Sequence, residues 1–206
     1  MINIYNRDCL DAMKEMNDNA FDLAIVDPPY QLGTRNPYQG GGFLSTRVLN
    51  RDNKIKNWDV APSPQYFEQL FRVSKNQVIW GGNYFDLPPT RCVICWDKKQ
   101  SWDNFSQWEM GWTSYKKTAR IFRFDNRTGG KIHPTQKPYE LYEWTLDTFA
   151  EKGWKILDTH IGSGSIALAC HDLGFDLTGF EIDSDYYDSC MKRLKEHQRQ
   201  TKLFRG

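Results

Sequence analysis

A unit of strand, glycine turn, helix and strand near the carboxyl terminus restricts this chain to a layered α/β fold. Residues 154–158 have the apolar pattern of a buried strand, and the turn after them contains Gly162 and Gly164. A helical pattern follows, and then a second apolar strand over 175–181. Because successive parallel strands need a crossover connection, usually a helix, this unit predicts a parallel sheet covered by helices.

Strand and helix patterns alternate over the rest of the chain, which favours a single α/β domain over residues 1–206. The patterns predict seven strands, over 2–6, 21–26, 77–80, 91–96, 108–115, 154–158 and 175–181. They predict helices over 9–16, from 64, from 138, over 165–173 and from 184. Segments 91–96 and 108–115 are expected to form an antiparallel pair at the sheet edge. Ser63 and Ser184 are expected to cap the helices that they precede or begin.

The strand 21–26 leads directly into Asp27-Pro28-Pro29-Tyr30, which we interpret as a preorganised polar pocket. Ligands of parallel α/β sheets bind beyond the carboxyl ends of strands, and the two prolines restrict the backbone between the acid and the ring. The Asp27 carboxylate and the Pro28 carbonyl are suited to accept hydrogen bonds from both N–H groups of a base's amino group, so that its nitrogen lone pair can attack a methyl group. Tyr30 is suited to stack on that base. The alternative is an ordinary turn at a strand end.

The glycine turn is suited to a nucleotide-like ligand. Gly162 and Gly164 allow a ligand close to the backbone, and the free N–H groups at the start of the next helix attract a carboxylate or phosphate. Glu181 lies 17 residues beyond Gly164, at the end of the second strand, where an acid can bind both hydroxyls of a ribose. The alternative is a tight turn beside an unrelated surface acid.

Charge is distributed unevenly, although the formal net charge is only +1. Residues 116–137 contain seven cations and one acid, and residues 31–58 contain five cations and one acid. Residues 138–206 contain twelve acids and eight cations, so a polyanion is expected to meet the middle of the chain. The alternative for the basic stretch is a solvated surface. The candidate phosphate contacts are Lys116, Lys117, Arg120, Arg123, Arg127 and Lys131.

Composition argues against membrane, secreted and metal-binding classes. The mean hydropathy of −0.70 and the lack of a long apolar run predict no transmembrane helix, and the first residues predict no signal peptide, so a cytoplasmic location is expected. Five cysteines with scattered spacing predict core thiols in a reducing compartment. Cys92 and Cys95 have the spacing of half a zinc site, but no second pair follows nearby, so packing is the expected role and no metal is predicted.

Six motifs, taken in order, resemble the amino-methylating DNA methyltransferases of bacterial restriction-modification systems and phages, in which the catalytic tetrapeptide precedes the glycine loop. The motifs are Asn6-Arg7-Asp8-Cys9-Leu10, Asp27-Pro28-Pro29-Tyr30, Trp80-Gly81-Gly82-Asn83-Tyr84-Phe85, Trp96-Asp97-Lys98, His133-Pro134-Thr135-Gln136-Lys137-Pro138, and the glycine loop through Phe180-Glu181-Ile182-Asp183. The resemblance covers nearly the whole chain. It implies a Rossmann-like S-adenosylmethionine-dependent methyltransferase fold with a seven-stranded, mainly parallel sheet, an antiparallel edge strand and a circularly permuted order.

The resemblance also implies roles position by position. Asp27, Pro28, Pro29 and Tyr30 would hold the target base as the catalytic residues. The cofactor's adenine would lie at Asp8 and the Cys9 backbone, its ribose at Glu181, and its carboxylate at Thr135 and Lys137, with His133 beside it. The rest of the cofactor pocket would be formed by Asp158, Gly162, Ser163, Gly164 and Ser165. An Asp at the first tetrapeptide position favours adenine N6, whereas a Ser there is commoner in cytosine N4 enzymes.

Two departures from the family pattern alter these expectations. Thr159 and His160 replace the usual Pro and Phe, so packing against the cofactor is expected to differ. Relatives with defined sequence recognition carry a sizeable insertion before the His-Pro-Thr segment, and only about twenty residues remain here. Residues 116–132 are therefore expected to be a reduced basic target-recognition segment, giving short or relaxed specificity or a homodimer that shares the task. Residues 31–62 are expected to form a mobile loop that closes over a flipped nucleotide.

The leading interpretation is a DNA methyltransferase that acts on adenine N6 of a flipped base. Three alternatives stay open: a cytosine N4 enzyme, an RNA or protein methyltransferase, and a relative that binds DNA without turnover. The intact Asp27, Tyr30, Gly162, Gly164 and Glu181 argue against the last of these.

Overall fold

The computed structural model describes residues 1–30, 60–101, 106–125 and 136–204, and the account of the structure is confined to them. In these residues the strands are β1 (Ile2–Asn6), β2 (Phe21–Val26), β3 (Ser74–Trp80), β4 (Val93–Asp97), β5 (Trp108–Thr113), β6 (Arg120–Arg123), β7 (Lys155–Asp158) and β8 (Asp176–Glu181). The helices are α1 (Cys9–Lys14), α2 (Pro64–Val73), α3 (Tyr139–Phe149), α4 (Ser165–Leu173) and α5 (Ser184–Phe204), with a short 3-10 turn over Gly82–Tyr84. None of the described helices has the length and apolar character needed to cross a membrane.

The eight strands form one sheet in the order β1-β8-β7-β2-β3-β5-β4-β6. Every neighbouring pair is parallel except those that involve β5, which runs antiparallel to both β3 and β4. The predicted mainly parallel α/β fold is confirmed, and so is the antiparallel pairing of β4 with β5. Seven strands were predicted, whereas the described residues form eight, because four residues of the basic segment form β6. The antiparallel strand is inside the sheet, and β6 occupies the edge.

Both faces of the sheet are covered, which explains the nearly continuous apolar sequence of its central strands. Alternate residues of β2 point to opposite sides: Leu23 and Ile25 belong to one buried cluster, and Ala24 and Val26 belong to another. The first cluster includes buried residues of α3, α4 and α5. The second includes buried residues of α1 and α2. The sheet is therefore the middle layer of three.

The helix starts differ from the prediction at both expected serine caps. Ser63 occupies the N-cap position of α2, but its side chain makes no capping hydrogen bond. Ser184 is the first residue of α5, and the carboxylate of Asp183 caps that helix by accepting hydrogen bonds from the backbone N–H groups of Asp185 (2.9 Å) and Tyr186 (3.1 Å). The prediction of Ser184 as the cap is wrong by one position, because the adjacent Asp183 offers an equally suitable acceptor.

Candidate active site

The carboxyl ends of the central parallel strands meet at one edge of the sheet, which we call the carboxyl edge. Asp27 follows β2, Asp158 ends β7 and Gly81 follows β3, and these three strands are neighbours. Because β5 runs in the opposite direction, its second residue, Glu109, also lies at this edge. The topology therefore brings the tetrapeptide and the glycine turn side by side, although they are far apart in the sequence.

Both carboxylate oxygens of Asp27 have partners from other parts of the site. The hydroxyl of Tyr30 donates a hydrogen bond to Oδ1. The ammonium nitrogen of Lys137 lies 2.5 Å from Oδ2. The Asp27 side chain is 18% exposed, so a ligand can still reach it. Since each carboxylate oxygen can accept more than one hydrogen bond, the orientation is fixed without exhausting its capacity to bind an amino group.

The Tyr30 ring is enclosed by other residues that belong to the predicted motifs. Tyr84 stacks on it with ring centroids 4.8 Å apart and an interplanar angle of 18°, and Phe85 meets it edge-on at 5.9 Å. Gly81 has a φ of +68°, and a Cβ at this position would lie 2.2 Å from the Tyr30 ring. Burial and the nearby carboxylates of Asp27 and Glu109 raise the pKa of Tyr30, so its phenol remains a hydrogen-bond donor. A base that stacks on the covered face must displace Tyr84 or extend the stack outward.

Lys137 is buried in this site with a full set of partners for its ammonium group. Its Nζ lies 2.5 Å from Asp27 Oδ2, 3.3 Å from the Tyr30 hydroxyl and 3.3 Å from Glu109 Oε2. The other oxygen of Glu109, Oε1, lies 2.6 Å from Lys98 Nζ. Burial lowers the pKa of Lys137, but attraction to Asp27 and Glu109 outweighs it, so the pKa is raised overall. The resemblance implies that Lys137 binds the cofactor's carboxylate, and this stays a prediction; in this structure its ammonium contacts the tetrapeptide.

The glycine turn between β7 and α4 depends on left-handed backbone at both glycines. Gly162 has a φ of +48° and Gly164 a φ of +74°. A Cβ at Gly164 would lie 2.5 Å from the sulfur of Cys190, so helix α5 packs directly against the turn there. Among the described residues, a Cβ at Gly162 would meet only the carbonyl oxygen of His160, at 3.9 Å. The turn is therefore closed on its α5 side and open at Gly162.

The carboxylate of Glu181 is held beside the open side of the turn. Its Oε2 accepts a hydrogen bond from the N–H of Gly162, and its Oε1 accepts one from the N–H of Asp183, both at 3.0 Å. Burial raises the pKa of Glu181, and these two backbone donors oppose that shift. The side chain is only partly buried, so the structure presents a fixed and accessible acceptor at the end of β8.

The residues Asp8 and Cys9 lie next to Glu181 because β1 pairs with β8, with Asn6 opposite Glu181. Asp8 caps α1, since its Oδ1 accepts a hydrogen bond of 2.9 Å from the N–H of Asp11. Burial and the charge of Asp8 raise the pKa of the Cys9 thiol to about 12. Cys9 is therefore a neutral, partly buried thiol and has no nucleophilic character at neutral pH.

The two unusual residues of the glycine turn join it to helix α2. The Tyr66 hydroxyl lies 2.6 Å from Thr159 Oγ1, which in turn lies 2.9 Å from His160 Nδ1. The backbone N–H of His160 donates to Asp158 Oδ1 at 3.0 Å. Burial lowers the pKa of His160 to about 4, so its ring is neutral. This chain of hydrogen bonds gives partners to Thr159 Oγ1 and His160 Nδ1 at the two positions that depart from the family pattern. The role of Tyr66 was not predicted from the sequence.

The side chains of Ser163 and Ser165 face helix α5. Arg193 donates to the Ser163 carbonyl oxygen at 2.9 Å and to Ser165 Oγ at 3.0 Å. The two serine hydroxyls lie 3.3 Å apart and both residues are buried. In this structure the serines therefore contribute to the attachment of the turn to α5, and Arg193 is a further residue that the sequence analysis missed.

The cations of the basic segment are divided between the carboxyl edge and the opposite ends of the strands. Lys116 and Lys117 follow the end of β5, which lies opposite the carboxyl edge, and Lys117 Nζ donates to the Thr148 carbonyl oxygen near the end of α3 at 3.4 Å. Arg120 begins β6, whereas Arg123 ends it at the carboxyl edge, with its Nε 3.5 Å from Asp97 Oδ2. Strand direction thus separates cations that are close together in the sequence.

Several predicted positions lie outside the described residues. They are His133, Thr135, Arg127, Lys131 and most of the loop 31–62. Among the described residues, sequence reasoning also missed Glu109, which had no signal except an acid within an aromatic strand pattern. Tyr84 and Lys98 did lie inside quoted motifs, but no role had been assigned to them.

Comparison with known proteins gives matches over most of the chain. A family profile described as DNA methylase matches residues 97–192. The type II methyltransferase M.HpaI of Haemophilus parainfluenzae is 36% identical over 228 aligned positions, which cover 89% of this chain and 71% of that protein.

Solved structures share the fold at low sequence identity. The structure of the M1.HpyAVI–SAM complex superimposes with a TM-score of 0.62 and 20% identity, covering 94% of this chain and 100% of that one. The cytosine-N4-specific PvuII DNA methyltransferase superimposes with a TM-score of 0.63 and 13% identity, covering 97% of this chain and 92% of that one. The architecture is therefore that of known DNA methyltransferases.

Proposed function

The chain belongs to the amino-methylating DNA methyltransferases, and on this premise we propose that it transfers a methyl group from S-adenosylmethionine to N6 of an adenine in DNA. The observation that supports this most directly is the pairing of β2 with β7, with Leu23 opposite Ile156 and Ala24 opposite Leu157. This pairing makes the tetrapeptide and the glycine turn neighbours at the carboxyl edge. A base held by one and a methyl donor held by the other would meet within a single pocket.

The residues around the glycine turn fit S-adenosylmethionine. Glu181 offers a carboxylate of fixed orientation for ribose hydroxyls, and the open side of Gly162 leaves room beside it. Asp8 and Cys9 follow the neighbouring strand and are proposed to line the adenine position. When bound, S-adenosylmethionine supplies a methyl group already activated on a positively charged sulfur, so the protein's task is to position the amino nitrogen.

The tetrapeptide is proposed to perform that positioning. The Asp27 carboxylate and the Pro28 carbonyl accept hydrogen bonds from the two N–H groups of the base's amino group. These bonds favour tetrahedral geometry at the nitrogen and expose its lone pair. The lone pair of this nitrogen would then be directed at the methyl group that the cofactor supplies, and the nitrogen would give up one of its protons after transfer. Tyr30 holds the Asp27 carboxylate through its hydroxyl, and its ring group with Tyr84 offers an aromatic surface for the base.

Adenine is proposed as the target because an Asp occupies the first tetrapeptide position. The fold does not discriminate, since a cytosine-N4-specific enzyme shares it, so cytosine N4 is the alternative outcome of the experiment. An amino group inside a duplex is paired, and methylation therefore requires a flipped base. Among the described cations of 116–132, Arg123 lies at the carboxyl edge and is the one we propose as a phosphate contact.

The test is methyl transfer by the purified protein from labelled S-adenosylmethionine to duplex DNA, single-stranded DNA and RNA. Single-molecule sequencing of the product DNA would identify the modified base and its sequence context. Asp27→Ala is expected to lower the transfer rate by about 100-fold or more, without loss of cofactor-induced thermal stabilisation. Asp22→Asn, on the same strand at the opposite edge, is the matched control and is expected to retain activity. Transfer to RNA in preference to DNA, or to neither, would exclude the proposal.

A further inference from the structure

We propose that Glu109 is a positioning residue of the active site, which holds the Lys137 ammonium against Asp27 and thereby fixes the carboxylate for the target amino group. The inference rests on the proposed function for its catalytic consequence. The arrangement itself is independent of that function and consists of three side chains from separate parts of the chain. Glu109 comes from β5, Asp27 follows β2, and Lys137 precedes α3.

The position of the Lys137 ammonium is determined by its protein partners. Its side chain is 4% exposed, so water does not compete for its donors. Among the described residues, three oxygens lie close to its Nζ: Asp27 Oδ2 at 2.5 Å, the Tyr30 hydroxyl at 3.3 Å and Glu109 Oε2 at 3.3 Å. Removal of any one of these oxygens changes where the ammonium can rest.

The charges around Lys137 balance one another. Four groups alternate in sign as Asp27, Lys137, Glu109 and Lys98, with Lys98 Nζ 2.6 Å from Glu109 Oε1. Buried charges are tolerated when each has a partner, and the two acids here balance the two cations. Burial raises the pKa of Glu109, but Lys137 and Lys98 lower it more, so Glu109 is ionised at neutral pH.

The contact between Glu109 and Lys137 acts through charge. Glu109 Oε2 is buried and makes no hydrogen bond within the part of the chain that the structure describes, although Lys137 Nζ is 3.3 Å away. An ion pair of this kind draws the ammonium by attraction and does not depend on a single bond direction. A glutamine at this position would keep the shape of the side chain but lose that attraction.

The ion pair of Glu109 and Lys137 affects how Asp27 can bind the target amino group. Asp27 can accept an amino proton only from the direction that its carboxylate plane allows, and Lys137 holds one of its two oxygens. Displacements of about 1 Å at such a site can cost about 100-fold in rate. Glu109 therefore influences the reaction without touching the base, since it acts through Lys137.

The experiment combines kinetics with a chemical measurement that needs no activity. Glu109→Gln is compared with Asp22→Asn, which also removes one carboxylate from a lysine ion pair; the two carboxylate side chains are 25% and 22% exposed. We expect Glu109→Gln to lower kcat by about 10-fold to 100-fold, with cofactor affinity retained, and Asp22→Asn to leave kcat unchanged. In a Lys137→Met background, Glu109→Gln is expected to have little further effect, because it acts through the missing lysine.

The second measurement is the rate of lysine acylation, mapped by mass spectrometry. Lys137 is expected to react slowly in the wild type and in Asp22→Asn, and about tenfold faster in Glu109→Gln, because the loss of the Glu109 charge lowers the pKa of Lys137. Unchanged reactivity of Lys137 in Glu109→Gln, or independent effects of the two substitutions on kcat, would overturn the inference. If the wild type transfers no methyl group to DNA, the proposed function fails, whereas the acylation result still decides whether Glu109 holds Lys137.

Discussion

Asp158 shows how a single buried carboxylate can make the stability of the fold depend on pH. It ends β7 at the carboxyl edge with 1% of its surface exposed, and it accepts a hydrogen bond from the backbone N–H of His160. Burial raises the pKa of Asp158 from 3.8 to about 8. Between these two values the native state binds more protons at this residue than the unfolded chain does. The contribution of Asp158 to the free energy of unfolding therefore falls as pH rises through this range.

Asp158→Asn isolates this contribution, because the amide oxygen can still accept the hydrogen bond from His160 and carries no charge. Unfolding in urea at several values between about pH 5 and pH 8 should show the wild type losing stability relative to the variant, by at most about 1.4 kcal/mol per pH unit. A difference between the two proteins that stays constant over this range would contradict the prediction, because the remaining titratable groups are common to both.

At the scale of elements, the short turn after β3 determines the position of the tetrapeptide. Gly81 precedes the 3-10 turn Gly82–Tyr84 in left-handed backbone, and Tyr84 from that turn stacks on Tyr30. A Cβ at Gly81 would lie 2.2 Å from the Tyr30 ring, so the ring and the turn are packed without space for a methyl group. The motif around Gly81 therefore has a physical reason in this structure that does not involve a ligand.

Gly81→Ala is expected to displace Tyr30 and to lower methyl transfer by about tenfold or more. Gly174→Ala is the matched control: Gly174 has a similar φ of +77°, but no atom of the described residues lies within 4 Å of a Cβ there. Both variants should lose about 1–2 kcal/mol of stability from the strained backbone, measured by urea unfolding. Equal activity in both variants would show that Tyr30 tolerates the added methyl group or has no part in transfer.

At the scale of the whole molecule, strand direction decides which cations face the proposed DNA. Arg123 ends β6 at the carboxyl edge, on the same side as Asp27. Lys117 lies at the other edge, where its Nζ is 5.0 Å from the Tyr115 ring centroid and 3.4 Å from the Thr148 carbonyl oxygen. The net charge of +1 conceals this asymmetry, and only a measurement on individual residues can reveal it.

Arg123→Ala is expected to weaken DNA binding and to reduce the slope of log affinity against log salt concentration by about one, because one phosphate contact is lost. Lys117→Ala removes the same charge from the opposite edge and should leave the slope unchanged. Fluorescence anisotropy with a labelled duplex at several salt concentrations measures both. A larger effect of Lys117→Ala than of Arg123→Ala would place the DNA on the other side of the sheet.

The sequence by itself determined the family and most of the elements, with β6 as the exception. Periodic apolar patterns depend on local geometry, so β1, β2, α4 and the glycine turn were predicted with their bounds or close to them. The motif order around Asp27 and Gly162 led to the amino-methylating DNA methyltransferases, and the similarity to M.HpaI bears that out. The roles of individual site residues stay predictions, and their tests are the substitutions described above.

Only the tertiary structure decided which residues meet across the sheet. The position of β5 between β3 and β4 is what brings Glu109 to Lys137 and Asp27, and no local pattern encodes that neighbour relation. The same holds for β6, which lies within the segment predicted as a basic target-recognition segment, and for Tyr66, which reaches Thr159 from a separate helix. The physical reason is that burial and strand pairing are properties of the assembled chain, whereas propensity and periodicity act over a few residues.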